Sequence, residues 1–361
     1  MKYVDEYRDP ELVKRLAAKM AEVSRTPVRF MELCGTHTMA IARHGLHHLF
    51  PPTVEMISGP GCPVCVTATE EIDRAILAAE LDGVIVATFG DLVRVPGSVG
   101  TLAQRRARGA RVEVIYSPLD AVQLAAENPG DQVVFLAIGF ETTAPTAAAA
   151  ALAAQAQGLD NFSLLPMHKL LPPAMNALLS GPDLGLHGFL CPGHVTTVIG
   201  TAYYQEVVRD YRLPCVVSGF EPADVMASIL MLIQQIEAGQ PRVEVQYGRA
   251  VSTQGNPQAQ AVMNQVYRPA DAPWRGLGVI PDSGLDLAEE FRHLDARERF
   301  DLEVEPVGDP PGCRCGEVLT GLIRPPECQL FGKACNPVNP VGPCMVSAEG
   351  TCAAYYKYRR D

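Results

Sequence analysis

Eleven cysteines in a chain of 361 residues pose the first question of chemistry. Six of them, Cys313, Cys315, Cys328, Cys335, Cys344 and Cys352, fall in the last 49 residues among many Gly and Pro. Four thiolates are what an iron–sulfur cluster or a structural zinc ion requires. The spaced set Cys313, Cys328, Cys335 and Cys352 reads C-x14-C-x6-C-x16-C. Zinc sites usually come as two tight CxxC knuckles, and this segment has none. Wide spacing with Pro-rich connectors suits a cubane cluster better, with zinc and disulfides as the alternatives. A segment this short and loop-rich needs such staples to fold.

A second thiol group is Gly59-Pro60-Gly61-Cys62-Pro63-Val64-Cys65, which follows a strand pattern and opens a helix expected near Thr67. CxxC at a helix N-terminus is a redox arrangement, because the dipole stabilises the thiolate and the short loop lets the pair close. The segment grazes the dinucleotide pattern G-x-G-x-x-G, but the third glycine is missing and two prolines remove phosphate-binding N–H groups. A buried pair of small thiols and a metal half-site are the competing readings. Cys34-Gly35-Thr36-His37-Thr38 ends the first strand. Cys and His three apart on a turn can reach one iron or zinc ion. They could also form a nucleophile–base pair, or be a core cysteine and a capping histidine. Three more loops end apolar strands: Gly139–Thr146 with Glu141, Pro166-Met167-His168-Lys169, and Cys191-Pro192-Gly193-His194. Turn chemistry and capping compete with function at each. Cys215, after Pro214 in a strand, reads as core.

These residues need elements to position them. Val- and Ile-rich runs alternate with helical patterns: Val28–Leu33, Val54–Ser58, Gly83–Phe89, Val112–Tyr116, Gln132–Phe140, Phe162–Leu165, Gly188–Leu190, Pro214–Ser218, Val243–Tyr247 and Gly278–Ile280. This is an α/β pattern with mainly parallel sheets. At an offset of 131, Val112–Tyr116 matches Val243–Tyr247, His37 meets His168, and Phe89 meets Phe220; one residue further, Pro60-Gly61 meets Pro192-Gly193. The matches predict two similar Rossmann-like α/β domains whose motif loops face a central cleft. We expect the first over residues 27–150, with Cys34 and the CxxC, and the second over 151–285. Residues 286–361, joined by a helix over 1–26, form a small loop-rich iron–sulfur domain in this expectation.

Composition narrows the class. Lys+Arg total 30 against 41 Asp+Glu, a net charge of −11. That argues against nucleic acid as a partner, because such binding needs a basic face. No apolar run reaches the ~20 residues of a membrane span. The charged N-terminal stretch lacks a signal-peptide block. We expect a cytoplasmic protein.

Taken together, Cys34-Gly35-Thr36-His37, Gly59–Cys65, Gly139-Phe140-Glu141-Thr142-Thr143, Pro166–Lys169, Cys191–His194 and the C-terminal spacing resemble the HypD family of NiFe-hydrogenase maturation factors. The resemblance spans nearly the whole chain. It implies a scaffold on which the Fe(CN)2CO unit is assembled, with a HypC-type small chaperone and a HypE-type cyanide donor as partners. It implies Cys34 as ligand to an iron carrying CN and CO ligands, with His37 beside it, and Cys62 and Cys65 as a redox pair. It implies a 4Fe-4S cluster on Cys313, Cys328, Cys335 and Cys352, and a second redox pair in Cys315 and Cys344. Glu141, His168 and His194 join the catalytic set. A cluster-dependent thiol–disulfide oxidoreductase acting on a protein substrate is the alternative function.

Overall fold

The structure, a computed structural model, describes residues 5–359. Eleven strands are described: β1 Val28–Glu32, β2 Val54–Ser58, β3 Val84–Thr88, β4 Arg111–Val114, β5 Gln132–Gly139, β6 Phe162–His168, β7 Gly188–Pro192, β8 Cys215–Ser218, β9 Val243–Val245, β10 Tyr267–Trp274 and β11 Gly278–Leu287. One sheet has the order β2-β1-β7-β8-β9 and another β4-β3-β5-β6. Every pair in both is parallel. Parallel strands buried on both faces read as continuous apolar runs, and nine of the ten predicted runs are strands of these two sheets, the tenth lying in β11. β10 and β11 form a separate antiparallel ribbon.

Two α/β units with parallel sheets are therefore present, but the chain does not divide at residue 150. β1 and β2 start the first sheet, the chain leaves to build all of the second, and β7–β9 return to complete the first. Position 150 falls inside the helix Ala144–Ala156, whose alanines pack into the second core. Hydrophobic runs specify strands without naming their partners. The repeat explains more. β4 and β9, the matched segments, are both edge strands, and Phe89 and Phe220 follow the strands next to them, β3 and β8. Pro60-Gly61 and Pro192-Gly193 instead follow or end strands of the same sheet, so that match is not part of the repeat.

The N-terminal helix also differs from expectation. α1, Pro10–Val23, starts where the Asp9 side chain accepts the Glu11 N–H at 2.9 Å, with Pro10 in its first turn. It buries Val13 and Met20 against the helix Pro222–Glu237 of the first sheet, not against the cysteine-rich end of the chain. β10 was not foreseen because Pro269 and Pro273 remove ladder donors; a two-stranded ribbon tolerates them, and Tyr267, Ala272 and Trp274 are buried. Residues 302–310 carry no regular structure, and short helices at Cys315–Leu319 and Thr351–Tyr358 frame the C-terminal loops. No helix among the described residues is long and apolar enough to cross a membrane.

Candidate functional site

Ligand sites of parallel sheets form where strands end, and the first sheet follows this rule. Cys34 leaves β1 and caps the helix α2, Gly35–Arg43. Its N–H donates to Glu32 Oε2 at 3.0 Å, and the Thr38 hydroxyl donates to Glu32 Oε1. The CxxC segment leaves β2 alongside. The Gly35 N–H donates to the Gly61 carbonyl at 3.1 Å. Two glycines permit this approach. A Cβ on Gly61 would lie 2.2 Å from the Cys34 nitrogen, and one on Gly35 would lie 2.6 Å from Glu349 Cβ and 3.2 Å from Cys62 Cβ. Glu349 comes from the C-terminal segment and accepts the Thr36 hydroxyl at 2.6 Å. Burial pushes the Cys34 thiol up to about 12, with Glu349 and Glu32 adding to the effect. Burial likewise lifts Glu32 to about 8, so it is a neutral acid at pH 7.

His37 is fully buried one turn into α2. Its Nε2 is 3.0 Å from the Gly219 carbonyl oxygen, and its ring stacks on Phe220 with centroids 4.8 Å apart. His194, in the first turn of the helix Gly193–Ile199 that follows β7, stacks on the same Phe220 at 3.7 Å. Burial lowers His37 to about 4 and also lowers His194, so both are neutral near pH 7.

Cys62 and Cys65 are paired in a disulfide, with Cα atoms 5.2 Å apart. The helix they open, α3 (Pro63–Val66), begins earlier than expected and precedes α4, Thr69–Ala79. α3 packs against the helix Cys315–Leu319 and the turn Pro343–Met345. Cys62, Cys65, Cys315, Cys335, Cys344 and Cys352 thus share one buried cluster. All six C-terminal cysteines line a single cavity. Their thiols adjoin in a chain, Cys313 beside Cys315, Cys315 beside Cys344 and Cys344 beside Cys352. A Cβ on Gly342 would stand 2.8 Å from Cys313 Sγ. Among the described residues no group of three or more His, Cys, Asp or Glu gathers around a point that could hold one metal ion; the sulfurs surround a cavity instead. Arg275, almost wholly buried, ties α3 to this region. Its N–H donates to the Val66 carbonyl at 2.9 Å, and its guanidinium to the Thr67 carbonyl at 3.1 Å and to Asp309 at 2.5 Å.

The second sheet contributes Glu141 and His168. Glu141 follows β5, and its Oε1 accepts the Leu171 N–H at 2.9 Å while Oε2 is buried with no hydrogen-bond partner among the described residues. Burial holds Glu141 up near 7 and His168 down near 3. His168 ends β6 with neither ring nitrogen hydrogen-bonded among the described residues, its ring 5.8 Å from Tyr267. Lys169 turns the other way and meets Glu71 of α4 in a buried ion pair at 2.6 Å. Phe140, beside Glu141, packs in the same cluster as Cys62 and Cys65, so the ends of both sheets converge on α3. Cys191 and Cys215 are buried on neighbouring strands β7 and β8. Sequence reading missed Glu32, Glu71 and Glu349. A lone carboxylate at a strand end, in a first turn or in a loop normally reads as solvated, and only the position of Glu349 between Cys344 and Cys352 hinted at more.

The sequence model of the family described as "Hydrogenase formation hypA family", HypD, matches residues 11–359. The chain belongs to the HypD family. It is 47% identical over 370 residues to hydrogenase maturation factor HypD2 of Bradyrhizobium diazoefficiens, covering 100% of this chain and 97% of that protein. It is 47% identical over 372 residues to hydrogenase maturation factor HypD of Cupriavidus necator, covering 100% and 98%. Against hydrogenase maturation factor HypD of Escherichia coli the figures are 46% over 369 residues, 100% and 99%. The match to the HypD family thus includes both sheets, the ribbon and the C-terminal cysteines.

Proposed function

We propose that this HypD-family chain is a hydrogenase maturation factor, working in the cytoplasm as scaffold and thiol redox protein in the assembly of Fe(CN)2CO. Its partners are a HypC-type small chaperone and a HypE-type cyanide donor. The iron with its CN and CO ligands is cargo. Cys34 is its ligand on this chain, a partner's cysteine supplies another, and His37 orients the site. Soft thiolate suits the low-spin Fe(II) that such strong-field ligands favour.

Cys62 and Cys65 are the redox pair. Opening their disulfide takes two electrons and two protons and leaves two thiols beside the Cys34 turn. Cys313, Cys328, Cys335 and Cys352 would hold a 4Fe-4S cluster, and Cys315 and Cys344 form a second pair. The donor set fits such a group: the sulfurs are soft, mostly buried and gathered round one cavity, and Gly342 leaves open the space beside Cys313. Such a cluster, when bound, supplies one-electron chemistry. Thiol–disulfide exchange between the two cysteine pairs trades one S–S bond for another, so electrons delivered to one pair can open the other. Glu141, near 7, can hold or release a proton at neutral pH, and His168 and His194 stand by as neutral bases.

The observation that carries this reading is continuity. The CxxC shares one buried cluster with the C-terminal thiols on one side and adjoins the Cys34 turn on the other. The test is an infrared spectrum of the anaerobically purified complex with its partners. Bands of iron-bound CN and CO are expected, and their loss in Cys34→Ala. Full bands in Cys34→Ala would overturn the reading and favour the thiol–disulfide oxidoreductase.

A further inference from the structure

An unusual amount of buried polar structure holds Gly219 and Phe220, the residues against which His37 rests. Asp224 lies in the first turn of the helix Pro222–Glu237 with its carboxylate fully buried. It accepts from both terminal nitrogens of Arg249, at 2.8 and 2.5 Å, from Gln246 Nε2 at 2.9 Å and from the Glu221 N–H at 3.2 Å. Gln246 in turn accepts the Gly219 N–H at 3.2 Å. The turn 219–221 is thus held at one end by Asp224 directly and at the other through Gln246. Arg249 is itself fixed, with its guanidinium 3.8 Å from the centre of the Tyr7 ring and 4.5 Å from that of Tyr247. No side chain larger than glycine fits at 219, since a Cβ there would meet Asp224 Oδ2 at 2.4 Å and Tyr247 Cδ2 at 2.7 Å.

The consequence falls on His37. The Gly219 carbonyl oxygen receives the Ser218 hydroxyl at 2.8 Å and His37 Nε2 at 3.0 Å. A carbonyl only accepts, so Nε2 carries the ring proton and Nδ1 is the bare nitrogen. Nδ1 is buried with no hydrogen-bond partner among the described residues. Stacking on Phe220, which His194 also stacks on, stops the ring from turning.

The geometry points to Asp224 as the positioning residue that sets the His37 tautomer, holding the Gly219 carbonyl in place so that Nδ1 is the nitrogen left free for the Cys34 site. A bidentate Arg–carboxylate pair supplies the rigidity, because two parallel charge-assisted hydrogen bonds fix direction as well as distance. The same logic orients metal-site histidines from behind in other proteins. The inference rests on the reading of Cys34 as the working centre.

The test uses the full chain with 15N-labelled histidine at neutral pH. The wild-type protein is expected to show His37 as one tautomer, protonated at Nε2. Asp224→Asn removes the charge while keeping the shape; it should mix the two tautomers and cut the infrared CN and CO bands of the assembled complex about tenfold or more. The thiol content of the reduced CxxC should be unchanged. Arg249→Gln, at a partly exposed residue, should act in the same direction and carries the test if Asp224→Asn does not fold. An unchanged His37 signal in a folded variant overturns the inference, and so does loss of the bands without a change of tautomer. If Cys34→Ala keeps its bands, the scaffold reading fails while the tautomer result still stands or falls alone.

Discussion

Gly61→Ala probes the closest approach in the site. The added Cβ would stand 2.2 Å from the Cys34 nitrogen, 2.4 Å from the Leu33 carbonyl carbon and 2.5 Å from Cys34 Cα. All three atoms are main chain, so no side chain can swing aside. Ordinary contact begins near 3.4 Å, which means that the CxxC loop and the Cys34 turn must separate by about 1 Å. That movement stretches the 3.1 Å hydrogen bond from Gly35 N–H to the Gly61 carbonyl past its useful range and forfeits ~1 kcal/mol. Overpacking adds ~1–3 kcal/mol. A displacement of ~1 Å at a reacting centre costs roughly 100-fold in rate. Gly130→Ala is the control, because a Cβ there meets nothing within 4 Å. The two variants are compared by urea unfolding and by the yield of iron-bound CN and CO bands in the assembled complex. We expect Gly61→Ala to lose ~2–4 kcal/mol and nearly all product, and Gly130→Ala to match wild type. Full product from Gly61→Ala, with stability within ~0.5 kcal/mol of the control, would refute the close-contact argument.

Two further predictions concern the second sheet. Glu141, held near 7 from an ordinary 4.5, is protonated in the native state; the stability this gives is full below pH 4.5 and is lost as pH rises through 7. Glu141→Gln removes that dependence, so the stability gap between wild type and variant should move by ~3 kcal/mol between pH 4 and pH 8.5, and an equal gap at both pH values in urea unfolding would count against it. Lys169→Met leaves Glu71 as an uncompensated buried charge and should cost ~3–5 kcal/mol, whereas Lys169→Met with Glu71→Leu should recover most of it; a double variant as weak as the single one would show that the pair is not the cause.

What the sequence made legible depended on how local each feature was. The strands β1 to β9 announce themselves as apolar runs, and the motif loops fall after them because parallel strands place their turns on one edge. β10 did not announce itself, because Pro269 and Pro273 look like breakers unless the ribbon partner is known. The interleaving of the two sheets was hidden for the same reason: β2 and β7 are separated by the whole second sheet, and no local pattern says that they flank β1. Cys34, His37, Cys62 and Cys65 were legible as chemistry from their types and spacing. Glu349 and Asp224 were not, since each acts on a residue far away in the chain, through Thr36 or Gly219, and an isolated carboxylate carries no periodicity. The 131-residue offset did place β4 and β9 as equivalent edges, and that long-range inference survived because it compared whole segments.

The electrostatics around Cys34 bear on what kind of cysteine it is. A nucleophilic cysteine needs thiolate at neutral pH, and proteins provide it with cations, metal ions or protonated histidine nearby. Cys34 has the opposite surroundings. Burial and two carboxyl groups, Glu349 and Glu32, drive its thiol up to about 12, and the neighbouring histidine is neutral, with one nitrogen committed to the Gly219 carbonyl. Such a thiol is inert until a positive charge replaces its proton. A metal ion does that, since thiolate ligation releases the proton and places a cation next to the acidic side chains. The features that make Cys34 a poor nucleophile are therefore those that suit a metal ligand: the thiol reacts weakly with passing electrophiles and gains most when a metal ion replaces its proton. The disulfide next to it adds no charge there, because neither Cys62 nor Cys65 becomes a thiolate until the pair is reduced.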